Sequence, residues 1–415
     1  MSSIGVRTSS GSDALVDSGY AWRRLLVSLL LATIGGIGLW SSVVVLPAIQ
    51  TEFGVSRGDA SLPYTLTLVG FAFGGIVMGR LADRFGIMVP LMVGAVMLGL
   101  GYALAAITQD YWQFLAVQAL LIGMAGSSAT FGPLVADVSH WFLRRRGIAV
   151  AIVASGNYLA GTIWPPLLQY GIDTIGWRQC YGIIAVACVV MMVPLAMMLR
   201  LRPDVSSDSR PVSARPAHYL HLPAPKPVLQ TLLVLAGIAC CVAMSMPQVH
   251  MVAYCGDLGY GSAHGAQLLS VMLGLGVVSR LASGLIADRI GGVGTMLLGS
   301  TLQCLALLLY VPFDGLMSLY IVSALFGLSQ GGIVPSYALI VRDYFPAREA
   351  GTRVSVVLMA TVVGMALGGW VSGFIYDITG SYQMAFMNGI AWNLINMMIG
   401  AWLLFTRMSL SPRPA

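Results

Sequence analysis

The sequence predicts an all-α integral membrane protein with twelve transmembrane helices arranged as two six-helix bundles. The first observation is composition, since 57% of the 415 residues are hydrophobic, only 9% are charged, and the mean hydropathy is +0.83. Soluble domains carry about 25% charged residues. The second observation is a series of twelve apolar runs of membrane-crossing length. The third is a motif that occurs twice, in corresponding places of the two bundles.

The twelve runs are separated by short polar connections. They are centred near Leu31, Phe71, Val96, Leu120, Ala154, Val189, Ala239, Leu275, Leu305, Leu328, Val363 and Asn393. This predicts bundles at residues 22–200 and 228–406. A segment rich in proline and serine, 201–227, is expected to be a cytoplasmic linker between them. Polar tails at 1–21 and 407–415 are expected on the same side, so that both termini are cytoplasmic.

The basic residues support this topology. Of the 22 Lys and Arg, all but three fall on the predicted cytoplasmic side; Arg57 and Arg178 fall outside, and Arg280 lies within the eighth run. This agrees with the positive-inside bias of membrane proteins. The net charge of +6 therefore reflects topology, and no nucleic-acid partner is needed to explain it. We expect a multi-pass protein of the cell inner membrane, embedded in the lipid bilayer and functional as a monomer.

The repeated motif has the form Gly-x-x-x-Asp-Arg-x-Gly. Its first copy contains Gly79, Asp83, Arg84 and Gly86, and its second contains Gly284, Asp288, Arg289 and Gly291. Glycine permits a tight turn, and a carboxylate there can contact arginines and helix ends of the other bundle. Such contacts would form in one conformation and break in another, so we predict a conformational gate at these residues, together with Arg144 and Arg145. A purely structural turn is the alternative.

This motif, its placement after the second and eighth helices, and the half-length repeat resemble the major facilitator superfamily over about residues 22–406. The stretch from Trp141 to Gly156 contains an aromatic pair, three arginines and then small residues. It is similar to the fifth-helix motif of monocarboxylate transporters, a group related to bacterial monocarboxylate porters and oxalate–formate antiporters. The resemblance implies a secondary transporter that works by alternating access.

Arg280 is the only basic residue inside an apolar run of membrane length. Its distance from Asp288 at the end of the run puts it about 12 Å deep, where a charge costs roughly 2.5–3.5 kcal/mol to insert. Monocarboxylate and oxalate transporters carry an arginine on helix eight that binds the substrate carboxylate, so the resemblance implies this role for Arg280. A guanidinium group can also bind a carboxylate bidentately. A structural arginine bonded to backbone carbonyls or to an acid is the alternative.

At two positions this sequence differs from the family pattern, and both differences limit the range of expected substrates. Animal members have an acid one turn before this arginine, where Gly276 stands here, and oxalate transporters have a lysine on helix eleven, near the position of Met359. A single fixed positive charge favours a monocarboxylate over a dicarboxylate. It also requires another partner for Arg280 when the site is empty.

The seventh run offers candidates for that partner. His250, Tyr254 and Asp257 are spaced i, i+4 and i+7, which places them on one face of a helix. We expect Asp257, with His250, to pair with Arg280 and to exchange the proton that accompanies the anion. The alternatives are that Asp257 merely ends a helix and that His250 is a hydrogen-bonded packing residue.

Further polar residues in the runs are candidates for substrate contacts. They are Trp40, Asn157, Tyr158, Tyr254, Gln330 and Tyr337. The sequence contains no nucleophile motif or phosphate-binding loop, and its six cysteines lack metal-ligand spacing, so we expect neither enzymatic activity nor a metal or cofactor. The favoured function is proton-coupled uptake of a small organic monocarboxylate. Export of a drug or metabolite by proton antiport, and a non-transporting membrane receptor, are the alternatives.

Overall fold

A computed structural model describes residues 15–201 and 225–410, without the side chains at 347, 348 and 407–410. Most of the predicted linker at 201–227 and of the tails at 1–21 and 407–415 lies outside these residues. Helices account for nearly all of the part described, and that part contains no strand.

Within the described ranges, eleven helices are long and apolar enough to cross a membrane, and the longest, Ser262–Tyr310, is two helices joined at Gly291, which makes twelve. The first half of the molecule consists of α1 Gly19–Phe53, α2 Arg57–Phe85, α3 Met88–Ile107, α4 Tyr111–Trp141, α5 Arg146–Ile175 and α6 Trp177–Met197. The second half consists of α7 Lys226–Asp257, α8 262–290, α9 292–310, α10 Leu316–Tyr344, α11 Ala347–Thr379 and α12 Gln383–Leu410. The predicted all-α fold with twelve crossings is confirmed.

The sequence repeat is also a repeat of backbone geometry. Gly86 ends α2 with φ 82° and ψ 163°, and Gly291 separates α8 from α9 with φ 76° and ψ 173°. Residues with a side chain rarely adopt this positive φ, so glycine is required at both turns. The predicted tight turns are therefore present in both halves.

Several helices lose regular geometry near the centre of the molecule. α1 bends at Gly36, α4 passes through a π-helical stretch at Gln118–Gly126, and α5 is interrupted at Ser155. A Cβ atom on Gly70 of α2 would lie 2.2 Å from the Ala119 carbonyl oxygen, so glycine lets α2 approach α4 closely. Irregular backbone at membrane depth is tolerated where it lines a cavity.

The two halves contact each other away from the repeated motif. We call the face that carries Arg84, Arg144 and Arg289 the arginine-rich face. Toward the opposite face, α2 packs on α11 and α5 packs on α8. The Thr65 hydroxyl, for example, donates to the Ala366 carbonyl at 2.9 Å. These contacts leave a space between the halves that extends toward the arginine-rich face.

Candidate functional site

A central cavity of about 760 Å³ lies between the halves. It is lined by α1, α2, α4 and α5 of the first half and by α7, α8, α10 and α11 of the second. Gly147 and Ala287, which lie near the arginine-rich ends of α5 and α8, are among the lining residues, so the cavity reaches that face. Arg280 is the only charged side chain that lines it within the described ranges.

Close packing of α8 against α10 fixes the backbone at Arg280. A Cβ atom on Gly331 would lie 2.5 Å from the Arg280 nitrogen, and one on Gly332 would lie 2.4 Å from the Ser283 Cβ. The Gly331 N–H donates to the Ser279 hydroxyl at 3.2 Å. Two consecutive glycines on α10 therefore make room for the turn of α8 that carries the arginine.

The Arg280 side chain extends from the second half to the first. Its Nη1 donates to the Ala154 carbonyl at 2.9 Å, and its guanidinium carbon lies 4.3 Å from the centroid of the Tyr158 ring. Ala154 ends the first segment of α5, where helix carbonyls lack intrahelical partners. Nε is buried and has no partner among the described atoms. A backbone carbonyl and an aromatic face therefore hold the cation, and part of its donor capacity stays available.

The expected pairing of Asp257 or His250 with Arg280 is absent from this conformation. Asp257 forms an ion pair with Arg57 at 2.9 Å. His250 contacts the Gly369 carbonyl through Nε2 at 2.7 Å and the Tyr382 hydroxyl through Nδ1 at 3.0 Å. The physical reason is that their shared face of α7 packs against α11 and the start of α12 instead of α8. Their role in proton coupling stays a prediction.

The position one turn before Arg280 is filled by a neighbouring side chain. A Cβ atom on Gly276 would lie 3.3 Å from Tyr158 and 3.4 Å from Nε2 of Gln330. The aromatic ring that contacts the guanidinium thus occupies the space beside this glycine. Because Gly276 has no side chain, the Tyr158 ring can pack closely against α8 beside Arg280.

The predicted substrate contacts divide into two groups. Trp40, Asn157 and Tyr158 line the cavity together with Arg280, and the Trp40 indole donates to the Asn157 carbonyl at 3.1 Å. The other three lie elsewhere. Tyr254 packs on Tyr382 and Phe386, and Gln330 is fully buried. The Tyr337 hydroxyl lies within hydrogen-bonding distance of the Ala236 carbonyl and of Oδ1 of Asn396. Gln330 accepts from Gln248 at 2.5 Å, and it is Gln248 that reaches the cavity.

Arg57 anchors the contacts that close the opposite face. Besides Asp257, it lies 4.7 Å from the centroid of the Tyr376 ring. The backbone N–H groups of Arg57 and Gly58, at the start of α2, each donate to the Asp377 carboxylate of α11 at 2.7 Å. A carboxylate is favourable at a helix N-terminus. The first turn of one half is thus capped by an acid of the other.

The arginine-rich face shows no corresponding closure. Asp83, Arg84, Asp288 and Arg289 are exposed and form no ion pair with another described side chain, and Arg144 and Arg145 are also exposed. The predicted gate contacts are therefore not formed here, because the halves are apart at this end. The molecule is open toward the arginine-rich face and closed at the opposite one.

Sequence reasoning missed several of these residues, although signals for two of them were present. Arg57 was one of only two basic residues outside the predicted cytoplasmic side, and both are paired; Arg178 binds Glu52 at 2.6 Å. Asp377 begins the stretch Asp-Ile-Thr-Gly, which corresponds to the stretch Asp-Thr-Ile-Gly that begins at Asp173 in the first half. Neither signal identified a partner in the other half.

Comparison with known proteins gives consistent matches. A family model described as Major Facilitator Superfamily matches residues 28–318 and 293–415. Monocarboxylate transporter 13 of Bos taurus is 26% identical over 373 residues, covering 89% of this chain and 86% of its own. MFS-type transporter pynF of Aspergillus niger is 28% identical over 364 residues, covering 85% and 81%.

A likeness to a solved structure extends over nearly the whole chain. The crystal structure of a bacterial homologue of the human lysosomal transporter Spinster, in an inward-facing and occupied conformation, superimposes with a TM-score of 0.70. It covers 96% of this chain and 100% of its own, at 15% sequence identity. At that identity the likeness concerns the fold alone.

Proposed function

The chain belongs to the major facilitator superfamily of membrane transporters, and from this premise we propose that it takes up a small organic monocarboxylate, coupled to protons, by alternating access. The observation that carries the proposal is Arg280, the only charged side chain lining the central cavity within the described residues. We take the arginine-rich face as cytoplasmic, as the positive-inside bias predicts.

The geometry of Arg280 suits a single carboxylate. Nη1 is bonded to Ala154, and the buried Nε has no partner among the described atoms. A turn of the side chain that brings Nε and one Nη to the cavity would let the guanidinium donate two parallel hydrogen bonds to the two oxygens of an anion. Binding would also neutralise the fixed charge, which lowers the cost of enclosing it in a site of low dielectric constant. Substrate binding and closure of the cavity around the substrate would therefore favour each other.

Replacement of Arg280 by lysine tests the bidentate contact. Lysine keeps the charge but loses the planar pair of donors. We expect Arg280→Lys to weaken the affinity for a carboxylate by roughly tenfold or more, equivalent to about 1.4 kcal/mol or more. The measurement is uptake by proteoliposomes from a panel of radiolabelled mono- and dicarboxylates. Arg23→Lys, which changes an exposed arginine of α1, is the matched control. Unchanged affinity in Arg280→Lys would exclude the proposed role.

The proposed proton sites lie where protonation would loosen the closed face. A proton on Asp257 removes its ion pair with Arg57. Nε2 of His250 faces a carbonyl and must carry hydrogen, so neutral His250 accepts at Nδ1 from Tyr382. Burial raises the pKa of the Tyr382 hydroxyl well above its usual value, which keeps this donor protonated. A second proton on His250 would leave the hydroxyl hydrogen without that acceptor.

Asp257→Asn tests this coupling. The variant cannot lose or gain a proton at this position, so we expect an inward proton gradient to stimulate uptake less than in the unmodified protein. Exchange of labelled for unlabelled substrate should persist, because Arg280 is untouched. Uptake is measured with and without the gradient, and Asp110→Asn, which changes an exposed acid before α4, serves as control. Equal loss of gradient-driven uptake and of exchange would indicate a structural role for Asp257.

Export of an amphipathic metabolite is a second candidate, favoured by one observation. Most residues that line the cavity are apolar, including Leu68, Met244 and Met365, and such walls also accept compounds with little charge. The direction is decided by loading vesicles with substrate and imposing a proton gradient. With an inward-directed proton gradient, further accumulation of substrate inside the vesicles supports uptake, and release of substrate from the vesicles supports export.

A further inference from the structure

Few of the side chains that line the cavity are polar. The hydroxyls of Ser283, Ser336 and Thr361 all line the cavity, but each already donates to a carbonyl of its own helix, at 2.8, 2.7 and 2.7 Å. The Asn157 amide, one residue before Tyr158, has a buried Oδ1 without a partner among the described atoms. Tyr64 and Gln248 add two more polar side chains to a lining that is otherwise largely apolar, so a ligand meets few polar groups besides Arg280.

The rest of the lining is mainly aromatic and aliphatic. Phe71 of α2 and Phe131 of α4 lie with their ring centroids 6.2 Å apart, tilted at 46°, and both line the cavity. Met244 and Met365 line the side that belongs to the second half. Methionine adapts its shape to apolar ligands, and aromatic rings offer large contact areas in specific orientations.

The size of the cavity argues against a very small substrate. Its volume of about 760 Å³, which includes the opening toward the arginine-rich face, leaves room for a ligand much larger than a two- or three-carbon acid. A two- or three-carbon acid could satisfy Arg280, but it would leave the apolar wall in contact with water. At about 25 cal/mol per Å², burial of roughly 100 Å² of ring surface strengthens binding on the order of 50-fold. A dicarboxylate would place its second charge against the same wall without a partner.

From these contacts we propose that the carried acid is an amphipathic monocarboxylate with an aromatic or similarly bulky apolar body, and that Phe71 and Phe131 determine this preference. Arg280 holds the carboxylate, and the apolar body extends between the phenylalanines and the methionines. The inference rests on the proposed function, since it assigns the substrate class of the same site.

Competition in proteoliposomes tests the preference without any mutation. The exchange of a labelled monocarboxylate is measured in the presence of unlabelled acetate, lactate, hexanoate, phenylacetate or succinate. We expect phenylacetate to inhibit at concentrations at least tenfold lower than lactate, with succinate weakest. Equal inhibition by phenylacetate and lactate would overturn the inference while leaving the proposed function intact. If no carboxylate is exchanged or inhibits, the proposed function fails instead.

Single substitutions test whether Phe71 and Phe131 determine the preference for an aromatic acid. Phe71→Ala should reduce the affinity for phenylacetate at least tenfold more than that for acetate. Acetate exchange by the same variant shows that it has folded. Phe73→Ala is the matched control, because Phe73 lies two residues further along α2 and is 63% exposed on the outside of the bundle. Phe131→Leu provides a second, milder change. An equal effect of Phe71→Ala on both acids, or an equal effect of Phe73→Ala, would contradict the assignment.

Discussion

Among the described residues, Arg24, Arg57 and Arg280 contact residues of distant helices, and each is held by a different set of partners. Arg24 binds both oxygens of Asp137 at 2.8 Å, and Arg57 binds Asp257 and lies beside the rings of Tyr376 and Tyr382. Arg280 has only a carbonyl and the face of Tyr158. A guanidinium paired with a carboxylate is neutralised, whereas one held by a carbonyl keeps its net charge. Of the three, Arg280 alone is therefore free to attract an anion.

Breaking the buried ion pair between Arg24 and Asp137 is expected to reduce the stability of the protein strongly. Both side chains are almost completely buried, at 1% and 7% exposure, and Arg24 also lies 4.6 Å from the Trp141 ring centroid. Asp137→Asn leaves a buried cation without its counter-charge, and breaking such a pair costs about 3–5 kcal/mol. We expect a clear fall in the midpoint of unfolding in detergent.

A second ion pair supplies the control for that experiment. Arg178 and Glu52 are about one-third exposed, and exposed pairs contribute only about 0–1 kcal/mol. Glu52→Gln should therefore shift the unfolding midpoint much less than Asp137→Asn. If the two variants shift it equally, burial does not determine the strength of these pairs.

At the scale of the helices, the sequence was informative wherever structure depends on nearby residues. Hydropathy located the twelve crossings, and the repeated glycines located the turns after α2 and α8, because a positive φ is a local property of glycine. The spacing of His250, Tyr254 and Asp257 correctly placed them on one face of α7. All three lie next to Tyr382 or to Arg57, which itself contacts Tyr382.

The sequence was less informative about what that face contacts. Asp257 and Arg57 are 200 residues apart, and Arg24 and Asp137 are 113 apart. Which distant residues meet depends on how helices pack, and hydropathy contains no information about this. The partner of Arg280 was equally unpredictable, because it is the backbone carbonyl of Ala154, which the interruption of α5 at Ser155 leaves available. A helix interruption of that kind leaves only the weak sequence signal of a serine–glycine pair.

At the scale of the whole molecule, the two faces differ in how the halves meet. On the closed face the backbones themselves approach, since a Cβ atom on Gly58 would lie 3.2 Å from the Phe374 backbone nitrogen and one on Gly373 would lie 2.8 Å from the Arg57 carbonyl oxygen. On the arginine-rich face the motif acids are exposed. Alternating access requires the first set of contacts to break when the second forms. Closure at one face and opening at the other are therefore linked through rigid movement of the halves.

Asp377 is expected to contribute strongly to holding the two halves together at the closed face. Its carboxylate accepts from two backbone N–H groups at the start of α2, and hydrogen bonds to a charged group contribute about 1.5–3 kcal/mol each. Asp377→Asn removes the charge and offers one acceptor oxygen in place of two. We expect the equilibrium to move by about tenfold or more toward a conformation open at this face. Spin labels at the exposed positions Thr174 and Asp314, one in each half, would then report a longer distance.

Asp59→Asn separates this effect from a general change of charge. Asp59 lies in the same first turn of α2, but it is exposed and accepts from Ser56 of its own half. The six cysteines are buried, which favours selective labelling at the introduced sites. An unchanged distance in Asp377→Asn, or the same increase in Asp59→Asn, would show that the Asp377 cap does not hold the halves together. A longer distance in Asp377→Asn alone would identify the cap as the contact that opening must break.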